Sequence, residues 1–300
     1  MKRAILFLLL YVLAIGAIAQ SDSSAQTINK KRLLLVSGVE TAFYVGGMLY
    51  LSEIWYRDWE RVPFHWYNDN AGYLQMDKLA HSFVAYQESK AGYHALRWSG
   101  VSKGKALLFG GTLGFVLQLP VEIFDGIYED YGFSPGDVAA NTLGSLLFIT
   151  QEGFWDEQKV VMKFSYYPSE YAQYRPDYLG ANPLEQLFLD YNSQTYWLSA
   201  NIRSIFHQAK VPAWLNLAVG YSGDGMLGEF TNPRVIDGKL APVLTRERQF
   251  LLSLDVDFTR IPTSRPWLKK TFKALNVLKI PFPALEYTKK RGLNIKPLYY

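Results

Sequence analysis

The stretch RQFLLSLDVDFTRI, Arg248 to Ile261, decides the fold class. Phe250, Leu252, Leu254, Val256 and Phe258 recur at every second residue, so they share one face of an extended strand. Working backward, Thr195 to Ile202 and Trp214 to Tyr221 alternate in the same way. The pattern changes near Gln158: before it the chain carries apolar runs of helical length, punctuated by glycine. The expected class is therefore α+β, with an N-terminal bundle of about four apolar helices followed by a small antiparallel sheet with one amphipathic helix. The expected organisation is a signal peptide over residues 1–20, a helical domain over 21–158 and a strand-rich region over 159–300. The strands visible in the sequence are fewer than the roughly eight of the smallest membrane barrels, so a full barrel from this chain alone is not expected.

Within the helical part, Leu33 to Tyr56 is apolar except for Glu40 and Glu53, and Gly38, Gly46 and Gly47 would suit close helix contact. A loop rich in Trp, Tyr, Asn and Asp, Arg61 to Tyr73, leads into a helix expected from Met76 to Trp98. A basic turn, Ser102 to Lys105, precedes an apolar helix from Ala106 to Phe124 with Gly110, Gly111, Gly114 and Pro120. The last helix should start after Ser134 as N-cap with Pro135 at its first position and run from Asp137 to Thr150. Beyond the strands, Pro266 to Ile280 sets Trp267, Phe272, Leu275 and Leu278 against Lys269, Lys270, Lys273 and Lys279. This basic amphipathic helix suits an anionic membrane surface, while docking of its apolar stripe on the sheet is the simpler reading.

Lys2 and Arg3, the apolar run Ile5 to Ala19 and the small residues Ala17-Ile18-Ala19 form a secretory leader, followed by a polar run from Ser21 to Gln26. The expected location is the cell envelope, in the periplasm or outer membrane. The chain has no cysteine, which excludes disulfides, thiolate metal sites, a cysteine nucleophile and a lipid on an N-terminal cysteine. A formal charge of +4 that includes Lys2 and Arg3 gives no electrostatic case for nucleic acid. The 21 Tyr, 18 Phe and 8 Trp suit a membrane interface or an aromatic-lined surface, and the expected partners are membrane lipids or envelope proteins.

Three polar pairs stand in otherwise apolar helices: Asp77 with His81, Glu122 with Asp125, and Asp137 with Asn141, each three or four residues apart on one helical face. Together with Lys78 and Ser134 they form the candidate polar site, because buried ionisable groups are costly unless they pair or hold a cation. One reading is a divalent metal site for Zn, Mn or Mg with Asp77, His81 and Asp137 as ligands and Glu122 as general base of a hydrolase. The other is a structural network in which these groups satisfy one another. No phosphate loop, dinucleotide fingerprint, nucleophile elbow or His-Glu-x-x-His helix is present, so no nucleotide is expected.

The order Asp77-Lys78-x-x-His81, Glu122-x-x-Asp125 and Phe133-Ser134-x-x-Asp137-x-x-x-Asn141-x-x-Gly144 resembles the YfiM-type envelope proteins, which are similar in turn to the VanZ-like membrane proteins. The segments Tyr174 to Gly180, Gln194 to Ser199 and Trp214 to Leu217 resemble a longer version from Bacteroidetes-type bacteria. The resemblance implies an envelope protein with membrane association and carries no reaction. It departs from the YfiM type in lacking a lipoprotein cysteine.

Overall fold

The structure, a computed structural model, describes residues 27–50, 60–129 and 131–300. The leader, the polar run after it and the end of the Leu33 to Tyr56 segment lie outside the described residues. The fold is α+β, as the change of periodicity predicts. The chain divides into a helical unit, which includes His81–Gln158 and the described residues up to Asn70, and a sheet unit made of Ala71–Ala80 and Lys159–Tyr300.

Helix α1 is Lys30–Tyr50, α2 Met76–Trp98, α3 Lys103–Phe109, α4 Leu113–Asp125 and α5 Pro135–Trp155. The single helix expected from Ala106 to Phe124 is thus two, broken at Gly110 to Thr112. Ser134 caps α5 by accepting from the Asp137 amide, with Pro135 in the first turn, as the local sequence requires. Helices α2, α4 and α5 approach so closely that two positions tolerate no side chain. A Cβ on Gly114 would lie 2.1 Å from the Ala85 carbonyl oxygen, and one on Gly144 2.0 Å from that of Ser82. The close approach lets small polar groups bridge: the Ser82 hydroxyl donates to the Ala140 carbonyl at 2.9 Å, and that of Ser89 to Ser145 Oγ at 3.0 Å. Gly38, Gly46 and Gly47 do not follow suit, since a Cβ at each would meet no described atom within 4 Å. Leu108, Phe109, Val116, Ile123, Leu143 and Leu146 are exposed. Two stretches, Lys30–Leu49 and Lys103–Asp125, are long and apolar enough to cross a membrane.

The sheet unit holds strands β1 Val160–Tyr166, β2 Gln194–Asn201, β3 Leu215–Asp224, β4 Val235–Ile236, β5 Lys239–Leu240, β6 Glu247–Val256, β7 Phe282–Thr288 and β8 Gly292–Tyr299. Six of them form one antiparallel sheet in the order β1-β2-β3-β6-β7-β8, and β4 pairs with β5. Short helices α6 Pro176–Leu179, α7 Pro183–Leu189 and α8 Ile202–Ile205 fill the connections, and α9 Pro266–Leu275 links β6 to β7. The sheet curls, so that Tyr299 of β8 packs edge-on against Trp197 of β2 and shares a hydrogen bond with Thr195. The outer edge of β1 is covered by Val277 and Lys279, which bond to Phe164 through the backbone. Pro297 sits in the opposite edge strand β8, where no inward ladder needs its missing N–H.

The inner face of this sheet is polar and buried. Lys163 and Asp255, both fully buried, pair at 2.8 Å. Ser199 donates to Asp255 at 2.6 Å, Asn216 to Ser199 at 2.9 Å and Gln249 to Glu286 at 2.7 Å, beside an apolar centre of Trp197, Ala218, Leu251 and Ala284. The outer face is apolar. Leu198, Val219, Leu252, Leu285 and Ile295 stand opposite one another across five strands and are each 39–75% exposed. Two residues along, Tyr196, Tyr221, Phe250 and Tyr287 make a parallel aromatic row, and Arg248 follows beyond it. The alternation read in Arg248 to Ile261 is therefore real, but Phe250, Leu252 and Leu254 point outward and only Val256 of that β6 set is buried. Helix α9 buries no residue completely: Trp267 is 60% exposed, while Phe272 of its apolar stripe packs against Phe258.

Candidate functional site

Four helical residues surround His81 within the helical unit. Its Nδ1 lies 3.2 Å from both Gln118 Oε1 and Asn141 Oδ1 and 3.7 Å from Glu122 Oε1, while Nε2 lies 3.6 Å from Asp137 Oδ1. Helix α2 supplies the imidazole, α4 supplies Gln118 and Glu122 one turn apart, and α5 supplies Asp137 and Asn141 one turn apart. The glycines at 114 and 144 make the site possible, because only helices in near backbone contact bring side chains this short to one imidazole. Glu122, Asp137 and Asn141 are buried, at 2%, 4% and 1% exposure.

Two members of the cluster carried no signal in the pair spacing. Gln118 donates from Nε2 to Glu88 Oε2 at 3.2 Å, and Glu88 is fully buried on α2, seven residues after His81. An i,i+7 search along α2 and an i,i+4 search back from Glu122 would have found both. Ser134 joins at one remove: its hydroxyl donates to Asp69 at 2.6 Å while its oxygen accepts the Asp137 amide, which fixes the start of α5. Asp125 ends α4, where its carbonyl accepts from the Tyr128 amide.

Asp77 stands one turn before His81 on the same helix, in the part of α2 that groups with the sheet unit. There its carboxylate accepts from the Tyr191 hydroxyl at 2.6 Å and pairs with Lys78 at 3.0 Å. It is presented by an unusual turn. Tyr73, Leu74 and Gln75 have φ of 46°, 54° and 70° in succession, a left-handed run that costs residues with a Cβ roughly 1–2 kcal/mol each. The surroundings hold it: the Tyr73 amide donates to Glu229, its hydroxyl bonds that of Tyr178, the Leu74 carbonyl accepts from Tyr221 and Gln75 accepts from Arg248. Strain retained by so many partners is a feature of functional sites. Of the other histidines, His65 bonds the Tyr131 carbonyl, His94 packs against Tyr93 and Phe148, and His207 is exposed, so none enters the cluster.

An imidazole among carboxylates and amides can hold and pass a proton, bind a cation, or orient a polar headgroup. Glu122 and Asp137 offer ligand oxygens near His81.

Residues 65–150 match the model of a family described as a predicted periplasmic lipoprotein, DUF2279. That segment contains every residue of the His81 cluster, and its description agrees with the expected location: the protein belongs to the cell envelope. The lipid-bearing cysteine that the word lipoprotein implies is not among these 300 residues. No curated protein and no solved structure matches the chain.

Proposed function

We propose that the protein is a membrane-seated component of the cell envelope whose sheet rests its outer face in hydrocarbon and whose helical unit carries a polar binding site. The observation that carries this reading is the reversed polarity of the sheet. Soluble sheets bury their apolar face, whereas here Lys163, Asp255 and Glu286 are fully buried and Leu198, Val219, Leu252, Leu285 and Ile295 face outward. Beside the aliphatic row on the outer face stand Phe250 and Tyr287, 47% and 50% exposed, aromatic groups of the kind that sit at a membrane interface. Strands β3 and β6, at ten residues each, have the length of a tilted membrane strand, about 9–11 residues.

The experiment is fractionation of cells expressing the full chain, with an alkaline carbonate wash. The wild-type protein should stay with the membranes, and Leu252→Arg combined with Ile295→Arg should release it, since arginine on a lipid-facing strand costs about 2–4 kcal/mol at mid-bilayer. Circular dichroism of the variant should retain the strand signal. Wild-type protein in the wash supernatant would overturn the reading.

A second reading rests on the His81 geometry: a metal-dependent hydrolase acting on an envelope lipid or glycan. His81 and Asp137 of the helical unit would hold a divalent ion, and Glu122, 3.7 Å from the imidazole, would take the proton of an attacking water. Metal analysis of the purified chain checks it. One ion per chain, lost in a folded His81→Ala variant, supports it, and metal-free protein after purification with each ion in excess removes it.

A further inference from the structure

We propose that the cleft between the Phe258–Arg260 turn and α9 binds a phosphate group of the kind an anionic lipid headgroup presents. The cleft has a volume of about 720 Å³ and is lined by Phe258, Thr263, Ser264, Lys269, Phe272 and Lys273, among others.

Lys269 and Lys273 stand one turn apart on the same face of α9, where like charges repel. The helix contains no acidic residue to offset them. Asp257, beside Phe258, accepts from the Thr259 amide and hydroxyl and pairs with Arg260 at 2.9 Å, and Asp255 is held by Lys163 and Ser199. Burial, with Lys269 adding to it, lowers the pKa of Lys273. Thr263 and Ser264 add hydroxyls at the entrance to a helix whose N-cap, Arg265, makes no side-chain capping bond. Two ammonium groups with neighbouring hydroxyls match the several oxygens of a phosphate. The floor is apolar: Phe258 and Phe272 pack at 5.9 Å, which suits the glycerol and first methylenes below a headgroup.

The position along the chain agrees. Helix α9 joins the Val256 end of β6 to the Phe282 end of β7, the ends opposite the aromatic row and Arg248. Trp267, 60% exposed, and Leu275, 40% exposed, give the helix the amphipathic character of an interfacial element. The proposal depends on the membrane reading only for the source of its ligand.

The test uses the full chain purified in a neutral detergent and follows its thermal unfolding with three probes: dihexanoyl phosphatidylglycerol, dihexanoyl phosphatidylcholine and inorganic phosphate. Phosphatidylglycerol should raise the melting temperature in a saturable manner and phosphatidylcholine should not. A parallel response to inorganic phosphate would identify the free phosphate group as sufficient, and its absence would identify the lipid headgroup. Lys269→Gln combined with Lys273→Gln should weaken the phosphatidylglycerol response at least tenfold in apparent affinity while the melting temperature without ligand and the retention in carbonate-washed membranes stay as in wild type. No response of the wild type to phosphatidylglycerol or phosphate, or an unchanged response in the double variant, would overturn the proposal. Because the sheet-face arginine variants act on retention and the lysine variants on headgroup selectivity, failure of one leaves the other readable.

Discussion

Gly144 shows how one residue governs the candidate site. Its Cα lies against the backbone of Ser82, one residue from His81, so any side chain drives α5 off α2. Gly144→Ala should destabilise the chain by about 1–3 kcal/mol through overpacking, measured by denaturant unfolding in detergent, and should cost more than the same change at Gly38, where a Cβ meets open space. Lys279 offers a test of a different kind. Burial pushes its pKa down to about 8, with Lys163 assisting and Asp255 opposing. Between about 8 and its ordinary value of 10.5 the unfolded chain binds the proton that the folded chain has lost, so stability rises with pH through that window, and the full penalty is present below it. Lys279→Met should therefore melt higher than wild type at pH 7, with the gap closing as the pH approaches 10.5. A gap that is constant with pH would place the effect in packing instead.

At the scale of elements, the inner face of the sheet tests whether its polar core is held as a unit. Lys163 reaches Asp255 from β1 to β6 and also donates to the Val256 carbonyl at 2.7 Å. Lys163→Met leaves Asp255 charged in the interior and should cost about 3–5 kcal/mol, read from urea unfolding followed by tryptophan fluorescence. Adding Asp255→Leu should recover most of that loss, because the pair's worth lies in mutual neutralisation and not in either charge alone. The same elements explain which sequence expectations succeeded. Helix α2 was legible at both ends, since a helix of this length declares itself by its own periodicity, and α5 was legible at its start because Ser134 and Pro135 act through local backbone geometry. Strands β1, β7 and β8 escaped notice. Their residues, such as the Lys163, Ser165 and Glu286 of the inner face, look like loop or surface residues until the pairing is known.

For the molecule as a whole, the sequence by itself determined the class, α+β, and the apolar alternation, because periodicity, capping and charge are properties of neighbouring residues. It also placed His81, Glu122, Asp137 and Asn141 in one candidate set, since each pair shares a helical face. Only the tertiary structure decided that Glu122, Asp137 and Asn141 meet at the His81 imidazole, with Gln118 and Glu88 added, because contact across three helices depends on how near their backbones pack. Only the tertiary structure decided that the alternating leucines face outward. An alternating strand has two faces and the chain does not say which is covered; burial of Lys163, Asp255 and Glu286 on the other side, compensated by partners drawn from distant strands, settles the direction.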